Sequence, residues 1–334
     1  MEKRVLHIDE PFRFEAGGEI PSVDIAYHVA GENDGRPVVW ICHALTANSD
    51  AEDWWPEMVG AGKPIDTNRF YVVCVNMLGS PYGSSGPASI NPETGKPYLR
   101  SFPRVTVRDI VAGNIAVRKH LGIEKIDLLV GSSIGGFQAV EWAIIEPSVF
   151  RRVAFIATGV RVNAWISATL EAQRMALEAD QTFSAAESLD GGKAGLRCAR
   201  AQALLTYRSF DGYVLTQSET DVDTLFPERA ASYERYQGEK LARRFDAYSY
   251  MSVIDSADSH NVGRHRGGVE KALKAITAEV TIIAITSDGL FPPSEMSTWA
   301  NMIPGAKYVE IESRFGHDGF LLETKQLEEI LCKF

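Results

Sequence analysis

The sequence predicts an α/β fold, in which a mostly parallel central sheet carries helices on both faces and is interrupted by a helical insertion. Compact apolar runs at Pro37–Cys42 and Phe70–Asn76 are typical of strands buried on both faces of a parallel sheet. Strand and helix patterns then alternate as far as Ala157, which favours a doubly wound arrangement. We divide the chain into a first core part, a helical lid and a second core part, at 1–162, 163–274 and 275–334.

The first strands are predicted from short runs of β-branched and aromatic residues. Phe12–Phe14 and Val23–Val29 have this composition, and Gly17 and Gly18 lie between them. Glycine tolerates the positive φ angles of tight turns, so we expect the two runs to form an antiparallel pair. This pair would precede the parallel strands in the sheet.

A helix and strand series follows in the first core part. Val107–Leu121 repeats apolar residues at intervals of three and four, and Gly122 is placed to cap the helix that this spacing predicts. Ile126–Val130 has the pattern of a strand, and a Gly/Ser turn joins it to a helix predicted over 135–145. Arg152–Ala157 predicts the strand that ends this part.

The rest of the chain divides into predicted helices and two late strands. In the insertion, helical patterns are found at Asn163–Asp180, Ala194–Tyr207 and Glu219–Phe245. After it, the strand patterns are Val280–Thr286 and Lys307–Ile311, and a last helix is predicted over 326–334. One sheet, interrupted by the insertion and then resumed, is the simplest architecture.

Composition and charge exclude several classes of protein. The chain has 334 residues, of which 45% are hydrophobic and 23% charged, as in ordinary globular proteins. Its net charge of −10 argues against a nucleic-acid partner, which would need a basic surface. No apolar run is long enough for a membrane-spanning helix, and the start has no apolar signal core. We therefore expect a cytoplasmic protein that binds neither nucleic acid nor a membrane.

The strongest local signal is Gly-Ser-Ser-Ile-Gly-Gly at 131–136, between a predicted strand and a predicted helix. This is the context of a nucleophile elbow, a turn so tight that small residues must flank the serine. Gly131 and Gly135 meet that requirement around Ser133. The turn would lift the Ser133 hydroxyl above the sheet edge and aim backbone N–H groups at a reacting carbonyl. A phosphate-binding Gly/Ser loop or a plain turn are the alternatives.

A serine nucleophile needs a base and a group that orients the base. In the fold built around such an elbow, the acid and then the histidine follow the serine along the chain. Asp288 comes directly after the strand Val280–Thr286, and His317 lies in a glycine-flanked loop after the last strand. Both places lie at the carboxyl edge of the sheet, as Ser133 does. We predict a Ser133–Asp288–His317 triad; a capping aspartate and a surface loop histidine are the alternatives.

Two backbone N–H groups are predicted to stabilise an oxyanion. One belongs to Ile134, after the nucleophile, and the other to the loop after the third strand, where we choose Leu45. His43 lies in the same loop and could be taken for a catalytic base. Because it precedes the serine and ends a strand beneath the predicted site, a structural, hydrogen-bonded role is favoured.

An ordered series of motifs resembles the homoserine O-acetyltransferases, an acyl-CoA-dependent branch of the α/β-hydrolase superfamily. Early markers are His43-Ala44-Leu45-Thr46 and the segments 60–69, 76–79, 82–87, 91–92, 94–98, 102–103 and 106–109. Later markers are 138–143, Gly263-Arg264 with Arg266-Gly267, 287–292 and 316–318. The resemblance covers most of the chain and implies the α/β-hydrolase fold. So many matches in order are far more specific than the elbow alone.

The resemblance implies a ping-pong acyl transfer. Acyl-CoA, a cosubstrate and not a permanently bound cofactor, would acylate Ser133, with His317 as the base and Asp288 orienting it. After CoA leaves, the hydroxyl of homoserine would attack the acyl-serine, and His317 would take its proton. The transferred group would be acetyl or another short acyl group.

The resemblance also assigns residues to the acceptor. Arg200 would hold its carboxylate, Tyr207 would line the same pocket, and Asp318 would hold its amine. Arg200 and Tyr207 fall two turns apart on one predicted helix, so they can share a face. A solvated arginine, a core tyrosine and a loop-capping aspartate are the alternatives.

The chain departs from the family pattern at three places. Ile134 stands where methionine is usual, and Ser80-Pro81 where a glycine and a cysteine are usual. Thr182–Lys193 replaces a glycine-rich stretch and is expected near the substrate entrance. These departures leave open a carboxylesterase that uses water as its acceptor. A binding protein without catalysis is a third hypothesis, against which the complete triad argues.

The resemblance further implies that the insertion forms a lid and a homodimer interface. Trp165, Tyr233 and Tyr236 are apolar candidates for such contacts, with core aromatic residues as the alternative. No metal site is predicted, because the triad and the acceptor pocket already explain the acidic and histidine residues around 288 and 317.

Overall fold

The structure is a computed structural model and describes residues 1–331. Its centre is an eight-stranded sheet. In chain order the strands are β1 (Glu2–Ile8), β2 (Val23–Ala30), β3 (Val38–Cys42), β4 (Tyr71–Val75), β5 (Ile126–Ser132), β6 (Phe150–Ile156), β7 (Glu279–Ile285) and β8 (Lys307–Ile311). Their spatial order is β1-β2-β4-β3-β5-β6-β7-β8. Both pairings of β2, with β1 and with β4, are antiparallel and the other five are parallel, so the predicted mostly parallel sheet is confirmed.

Helices cover both faces of the sheet. Those of the core are α1 (Ala51–Trp54), α2 (Val107–His120), α3 (Ile134–Ile145), α11 (Pro293–Ala300), α12 (Gly319–Leu322) and α13 (Thr324–Leu331). Between β6 and β7 lie α4 (Ala164–Glu178), α5 (Gln181–Ala185), α6 (Lys193–Tyr207), α7 (Phe210–Gln217), α8 (Arg229–Ala242), α9 (Ala247–Asp258) and α10 (Val269–Leu273). We call the segment from α4 to α10 the insertion.

Aromatic packing fixes α3 against the sheet. Trp40 of β3 meets Trp142 of α3 edge to face, with ring centroids 5.1 Å apart. The Trp40 indole N–H donates to Asn114 Oδ1 of α2 at 2.8 Å, so α2 and α3 are held to the same strand. All three side chains are buried. The helix that begins directly after Ser133 therefore has little freedom to move.

The amino-terminal pairing differs from the prediction. β2 pairs with β1 at the edge of the sheet, while Phe12–Arg13 pairs with Glu19–Ile20 in a separate small hairpin around Gly17-Gly18. β1 was missed because most of its residues are exposed. An edge strand of that kind has no apolar pattern to indicate it.

The insertion is helical as predicted, but one of its helices is shorter. Glu219–Phe245 was expected to have a helical tendency, whereas α8 covers only Arg229–Ala242. Pro227 disfavours helical backbone at the residue before it, and the part preceding it forms turns instead. The proline was the signal in the sequence that the prediction overlooked.

Two further predictions were a helix at the end of the chain and the lack of a helix that could span a membrane. The last helix is observed as α13 up to Leu331, and positions 332–334 of the predicted helix lie outside the described residues. Within residues 1–331, no helix combines the length and the apolar composition needed to cross a bilayer.

Candidate active site

Ser133 lies in a strained turn between β5 and α3. Its backbone has φ 56° and ψ −127°, a region that side chains other than glycine rarely adopt and that costs roughly 1–3 kcal/mol. Two hydrogen bonds hold it there: Ser133 N–H donates to the Ile156 carbonyl at 3.1 Å, and the Thr158 hydroxyl donates to the Ser133 carbonyl at 2.7 Å. The strain is therefore maintained by the neighbouring strand and by the residues that follow it.

The two glycines that flank the serine have no room for a side chain. A Cβ on Gly131 would lie 2.2 Å from the carbonyl oxygen of Gly135. A Cβ on Gly135 would lie 2.1 Å from the carbonyl oxygen of Cys42, at the end of β3. Both contacts are with backbone atoms, which cannot rotate away. The turn thus requires glycine at both positions, as the sequence motif indicated.

Asp288 and His317 form a buried pair in the loops after β7 and β8. His317 Nδ1 lies 2.7 Å from one oxygen of Asp288, and the other oxygen accepts the N–H groups of Leu290 and Phe291 at 2.8 and 3.1 Å. Burial disfavours a charged imidazole, but the charge and the hydrogen bond of Asp288 outweigh it, and the pKa of His317 is raised. Within the described residues, Nε2 has no partner, so it can accept a proton.

Two backbone N–H groups beside Ser133 are available to a ligand. Leu45 and Ile134 line a small cavity together with Ser133. In the described part of the chain neither N–H donates a hydrogen bond, and Ile134 is the first residue of α3, where backbone donors point outward. A negatively charged oxygen formed next to Ser133 could accept from both.

His43 supports the loop that carries Leu45. Its Nδ1 lies 2.9 Å from the Ala44 carbonyl oxygen, and its Nε2 accepts the N–H of Met77 at 3.3 Å. Burial lowers the pKa of His43 to about 4, so the ring is neutral near pH 7. Both nitrogens of this neutral ring have hydrogen-bond partners, so neither is free for proton transfer. The contacts support the structural, hydrogen-bonded role that the sequence favoured.

A cavity of about 480 Å³ contains Ser133, His317 and side chains of the insertion. Arg200 and Tyr207 of α6 both line it, and the Arg200 guanidinium carbon lies 5.6 Å from the Tyr207 ring centre. The predicted shared face of the helix is therefore observed. The Tyr207 ring lies 5.9 Å from that of His317, and burial raises the pKa of its hydroxyl. Asp318 also lines this cavity.

Comparison of the sequence with known proteins identifies the family to which the chain belongs. A model described as the alpha/beta hydrolase fold matches residues 37–324. A homoserine O-acetyltransferase of Chlorobaculum parvum is 40% identical over 330 residues, which cover 97% of this chain and 92% of the relative. One of Cyclobacterium marinum is 38% identical, covering 100% and 95%. The chain belongs to the homoserine O-acetyltransferase family.

Solved structures have the same fold as this homoserine O-acetyltransferase family member. A homoserine O-acetyltransferase from Staphylococcus aureus matches with a TM-score of 0.82 and 29% identity, over 99% of this chain and 94% of that one. Esterase E22 matches with a TM-score of 0.89 and 25% identity, over 99% of both chains. One backbone is thus found in proteins named for acyl transfer and in one named an esterase. The reaction therefore has to be argued from side chains.

Asp318, which the homoserine O-acetyltransferase resemblance assigned to an amine, is ion-paired in the structure. Arg208 Nε donates to one of its oxygens at 2.7 Å, and the Arg208 guanidinium lies over the ring of Tyr233. The other oxygen makes no hydrogen bond within residues 1–331 and stays available to a ligand. Arg208 was not predicted, although its place directly after Tyr207 could have indicated it.

The small cavity behind Ser133 is mostly apolar. It measures about 50 Å³, and its apolar lining consists of Leu45, Ile134, Phe137, Ile166, Leu170, Ala257, Leu290 and Phe291, with Tyr207 at its edge. No charged side chain is found among the described residues that line it. Gln173, one of its polar residues, already accepts a hydrogen bond from Tyr250 at 2.8 Å.

Two remaining expectations concern metals and the segment Thr182–Lys193. In the described part of the chain, no cluster of His, Cys, Asp or Glu could hold a metal ion.

Thr182–Lys193 was expected near the entrance, yet it supplies no described residue to either cavity at Ser133. Phe183 is instead buried in a stack with Tyr248 of α9, with ring centroids 4.9 Å apart. This contact anchors the segment to α9.

Proposed function

We propose that the chain transfers an acetyl group from acetyl-CoA to the hydroxyl of homoserine through an ester on Ser133. The observation that carries the proposal is one cavity lined by Ser133, His317, Arg200 and Asp318. It combines a nucleophile and a base with a cation and an anion, and an amino-acid acceptor has the matching carboxylate and ammonium. Relatives named homoserine O-acetyltransferase at 38–40% identity support the same reaction.

In the first half-reaction, Ser133 attacks the thioester. His317 Nε2 takes the hydroxyl proton as the Ser133 oxygen bonds to the carbonyl carbon. The carbonyl oxygen becomes negative and accepts hydrogen bonds from the backbone N–H groups of Leu45 and Ile134. The carbon–sulfur bond then breaks, the sulfur takes the proton from His317, and CoA leaves. Asp288 holds the imidazole in orientation and stabilises its charged form, consistent with the raised pKa of His317.

In the second half-reaction, homoserine takes the acetyl group. His317 Nε2 removes the proton of the homoserine hydroxyl as its oxygen attacks the acetyl carbon. The same two N–H groups stabilise the oxyanion. When the bond to Ser133 breaks, His317 returns the proton to the Ser133 oxygen, and O-acetylhomoserine leaves.

Arg200 and Asp318 orient the acceptor. The Arg200 guanidinium pairs with the homoserine carboxylate. The homoserine ammonium donates a hydrogen bond to Asp318, at the carboxylate oxygen that is not bonded to Arg208. Arg208 keeps Asp318 paired when the site is empty, which lowers the cost of an isolated carboxylate. The two charges thus direct the acceptor hydroxyl toward Ser133.

The small cavity behind Ser133 favours acetyl over succinyl. Its size, about 50 Å³, and its apolar lining suit a methyl group. A succinyl chain would place a carboxylate among Phe137, Leu170 and Phe291 without a cation to pair with, which is costly. Succinyl-CoA should therefore be a poor donor.

The decisive experiment measures CoA release from acetyl-CoA with and without homoserine, with mass spectrometry of the product. We expect homoserine to accelerate release strongly and O-acetylhomoserine to form in equal amount. Hydrolysis of p-nitrophenyl acetate is measured beside it. CoA release that ignores homoserine, together with fast ester hydrolysis, would refute the transferase proposal.

An esterase is the second candidate, and the match to esterase E22 favours it. The triad and the two N–H donors would work in the same way, with water as the acceptor in the second half-reaction. In that case Arg200 and Asp318 would have no substrate charges to bind. Substitution of either residue would then leave the hydrolysis of a neutral ester nearly unchanged. It would also not change any dependence of the rate on homoserine, because water is the acceptor.

We further propose that the chain forms a homodimer through the insertion and works in the cytoplasm. Large apolar side chains are exposed along and after α7: Phe210, Val214, Leu215, Val222, Leu225 and Phe226. Trp165 and Tyr236 are exposed as well, whereas Tyr233 packs on Tyr213. Such a group of side chains marks an interaction surface. The free thiols of Cys42, Cys74 and Cys198 are compatible with a reducing compartment.

A further inference from the structure

The rim of the Ser133 cavity carries an excess of positive charge. Three cations line this cavity: Arg200 of α6, Lys240 in the last turn of α8, and Arg244, two residues after α8 ends. Within residues 1–331 none of the three forms an ion pair with a carboxylate. The acids on the same wall are Asp53 and Asp318, and the second is already paired. In a chain with a net charge of −10, this local excess opposes the overall charge.

Arg244 is fixed at the cavity mouth and still has hydrogen-bond donors to spare. Its Nη1 donates to the carbonyl of Thr46 and to the hydroxyl of Tyr82, so the side chain spans from the insertion to the loop of Leu45. A guanidinium has five N–H groups. Those on Nε and Nη2 make no hydrogen bond in the described part of the chain. They are free to bind an anionic ligand.

Lys240 lies on the same rim, in the last turn of α8. Its neighbour Glu239 faces the other way and pairs with Arg197 of α6 at 2.7 Å. The Lys240 ammonium makes no hydrogen bond within residues 1–331. An exposed, unpaired ammonium beside a fixed guanidinium suits a ligand that has more than one anionic group.

We infer that Lys240 and Arg244 bind the phosphate groups of the CoA donor, an inference that rests on the proposed transferase function. CoA carries a diphosphate and a 3′-phosphate at the end remote from its uncharged thioester. Lys240 and Arg244 line the cavity and are both exposed to solvent, so when the thioester carbon lies at Ser133 the phosphates at the other end of CoA can reach them from the solvent side. Arg200 stacks on Tyr207 near His317 and serves the acceptor carboxylate instead.

The kinetic test compares donors with and without phosphates. In the double variant Lys240→Gln/Arg244→Gln, we expect the KM for acetyl-CoA to rise about tenfold or more, with little change in kcat. The kcat/KM for acetyl-pantetheine, which has no phosphate, should fall clearly less than that for acetyl-CoA, because it reports only the loss of the Arg244 hydrogen bonds to Thr46 and Tyr82. Arg243→Gln is the matched control, because Arg243 is exposed next to Arg244 but does not line the cavity.

Direct binding separates this inference from the proposed function. By calorimetry with CoA and the full chain, wild-type affinity should fall as salt rises through about 0.2 M, since exposed charges are screened. The double variant should bind CoA about tenfold more weakly and with less dependence on salt. Unchanged CoA affinity in the double variant overturns the inference, as does an equal loss with acetyl-pantetheine or a raised KM for homoserine alone. If CoA binds as expected but homoserine does not accelerate CoA release, the phosphate site stands and the transferase proposal fails.

Discussion

The loops that hold Ser133, Asp288 and His317 differ sharply from the insertion that covers them. The loops are enclosed by backbone: a side chain on either glycine flanking Ser133 would collide with a carbonyl oxygen, and both oxygens of Asp288 are occupied. The insertion contributes long side chains to the cavity and exposes large apolar ones, such as Leu225 at 81%. In the proposed reaction the chemical step takes place at a rigid edge of the sheet, whereas the proposed contacts to donor, acceptor and partner are made by exchangeable side chains of the insertion.

The largest effect should come from removing the nucleophile. We expect Ser133→Ala to lower kcat for acetyl transfer by roughly 10⁴-fold or more, since the residues of a triad act as a unit. Labelling by a fluorophosphonate should disappear as well. Ser132→Ala, one position earlier and buried where Ser133 is half-buried, is the control and should keep most of the activity. Labelling that survives in Ser133→Ala would place the nucleophile elsewhere.

The second largest effect should come from Asp288→Asn, with a change in pH dependence. His317 must be neutral to act as a base, so kcat/KM of the wild type should rise with pH through a pKa above the ordinary value near 6.5. Without the carboxylate, burial lowers the pKa of His317 and only the charge of Asp318 still raises it. The inflection should move to lower pH, and kcat should fall by roughly 10⁴-fold. An inflection that does not move would show that Asp288 does not control the base.

A methyl group in the elbow tests the rigidity of the edge. Gly135→Ala places a Cβ against the Cys42 carbonyl, so either the strand or the elbow must shift. We expect a loss of about 1–3 kcal/mol in the free energy of unfolding and of about 100-fold in kcat. Gly289→Ala, beside Asp288 but exposed and with no atom within 4 Å of the new Cβ, should be nearly neutral in both. Equal effects of the two changes would mean that the elbow is not sterically constrained.

The same contrast explains what could be predicted from the sequence. The parallel sheet, the elbow and the loops of Asp288 and His317 follow from apolar runs and glycine spacing, which are local signals that the buried strands leave in the chain. The edge strand β1 leaves no such signal because most of it is exposed. The pairing of Asp318 with Arg208 joins positions 110 residues apart, and no local pattern indicates that contact. The same holds for Arg244 and Thr46.

A smaller effect, confined to the KM for homoserine, is expected when Arg200 of the insertion is replaced. Arg200→Gln should raise the KM for homoserine roughly 10- to 100-fold, because a charge-assisted hydrogen bond to the carboxylate is lost. Hydrolysis of p-nitrophenyl acetate, which has no carboxylate, is the reference reaction. Arg197→Gln, on the same helix but paired with Glu239, is the matched control. A similar loss in both reactions would mean that Arg200 supports the triad and does not bind the acceptor.

The smallest effect on chemistry, and the clearest on assembly, should come from the exposed apolar surface of the insertion. Leu225 and Phe226 are 81% and 76% exposed, so Leu225→Glu with Phe226→Glu should not unfold the chain. Charges placed in a dimer interface are desolvated without a partner, and we expect the sedimentation coefficient to change from that of a dimer to that of a monomer. Ile90→Glu, exposed to 59% on a small hairpin of the core, controls for added charge and should stay dimeric. If hydrolysis of p-nitrophenyl acetate changes less than about twofold while the dimer dissociates, the chemical step belongs to the single chain and its rigid edge, whatever the insertion binds. A wild type that sediments as a monomer would contradict the proposed interface.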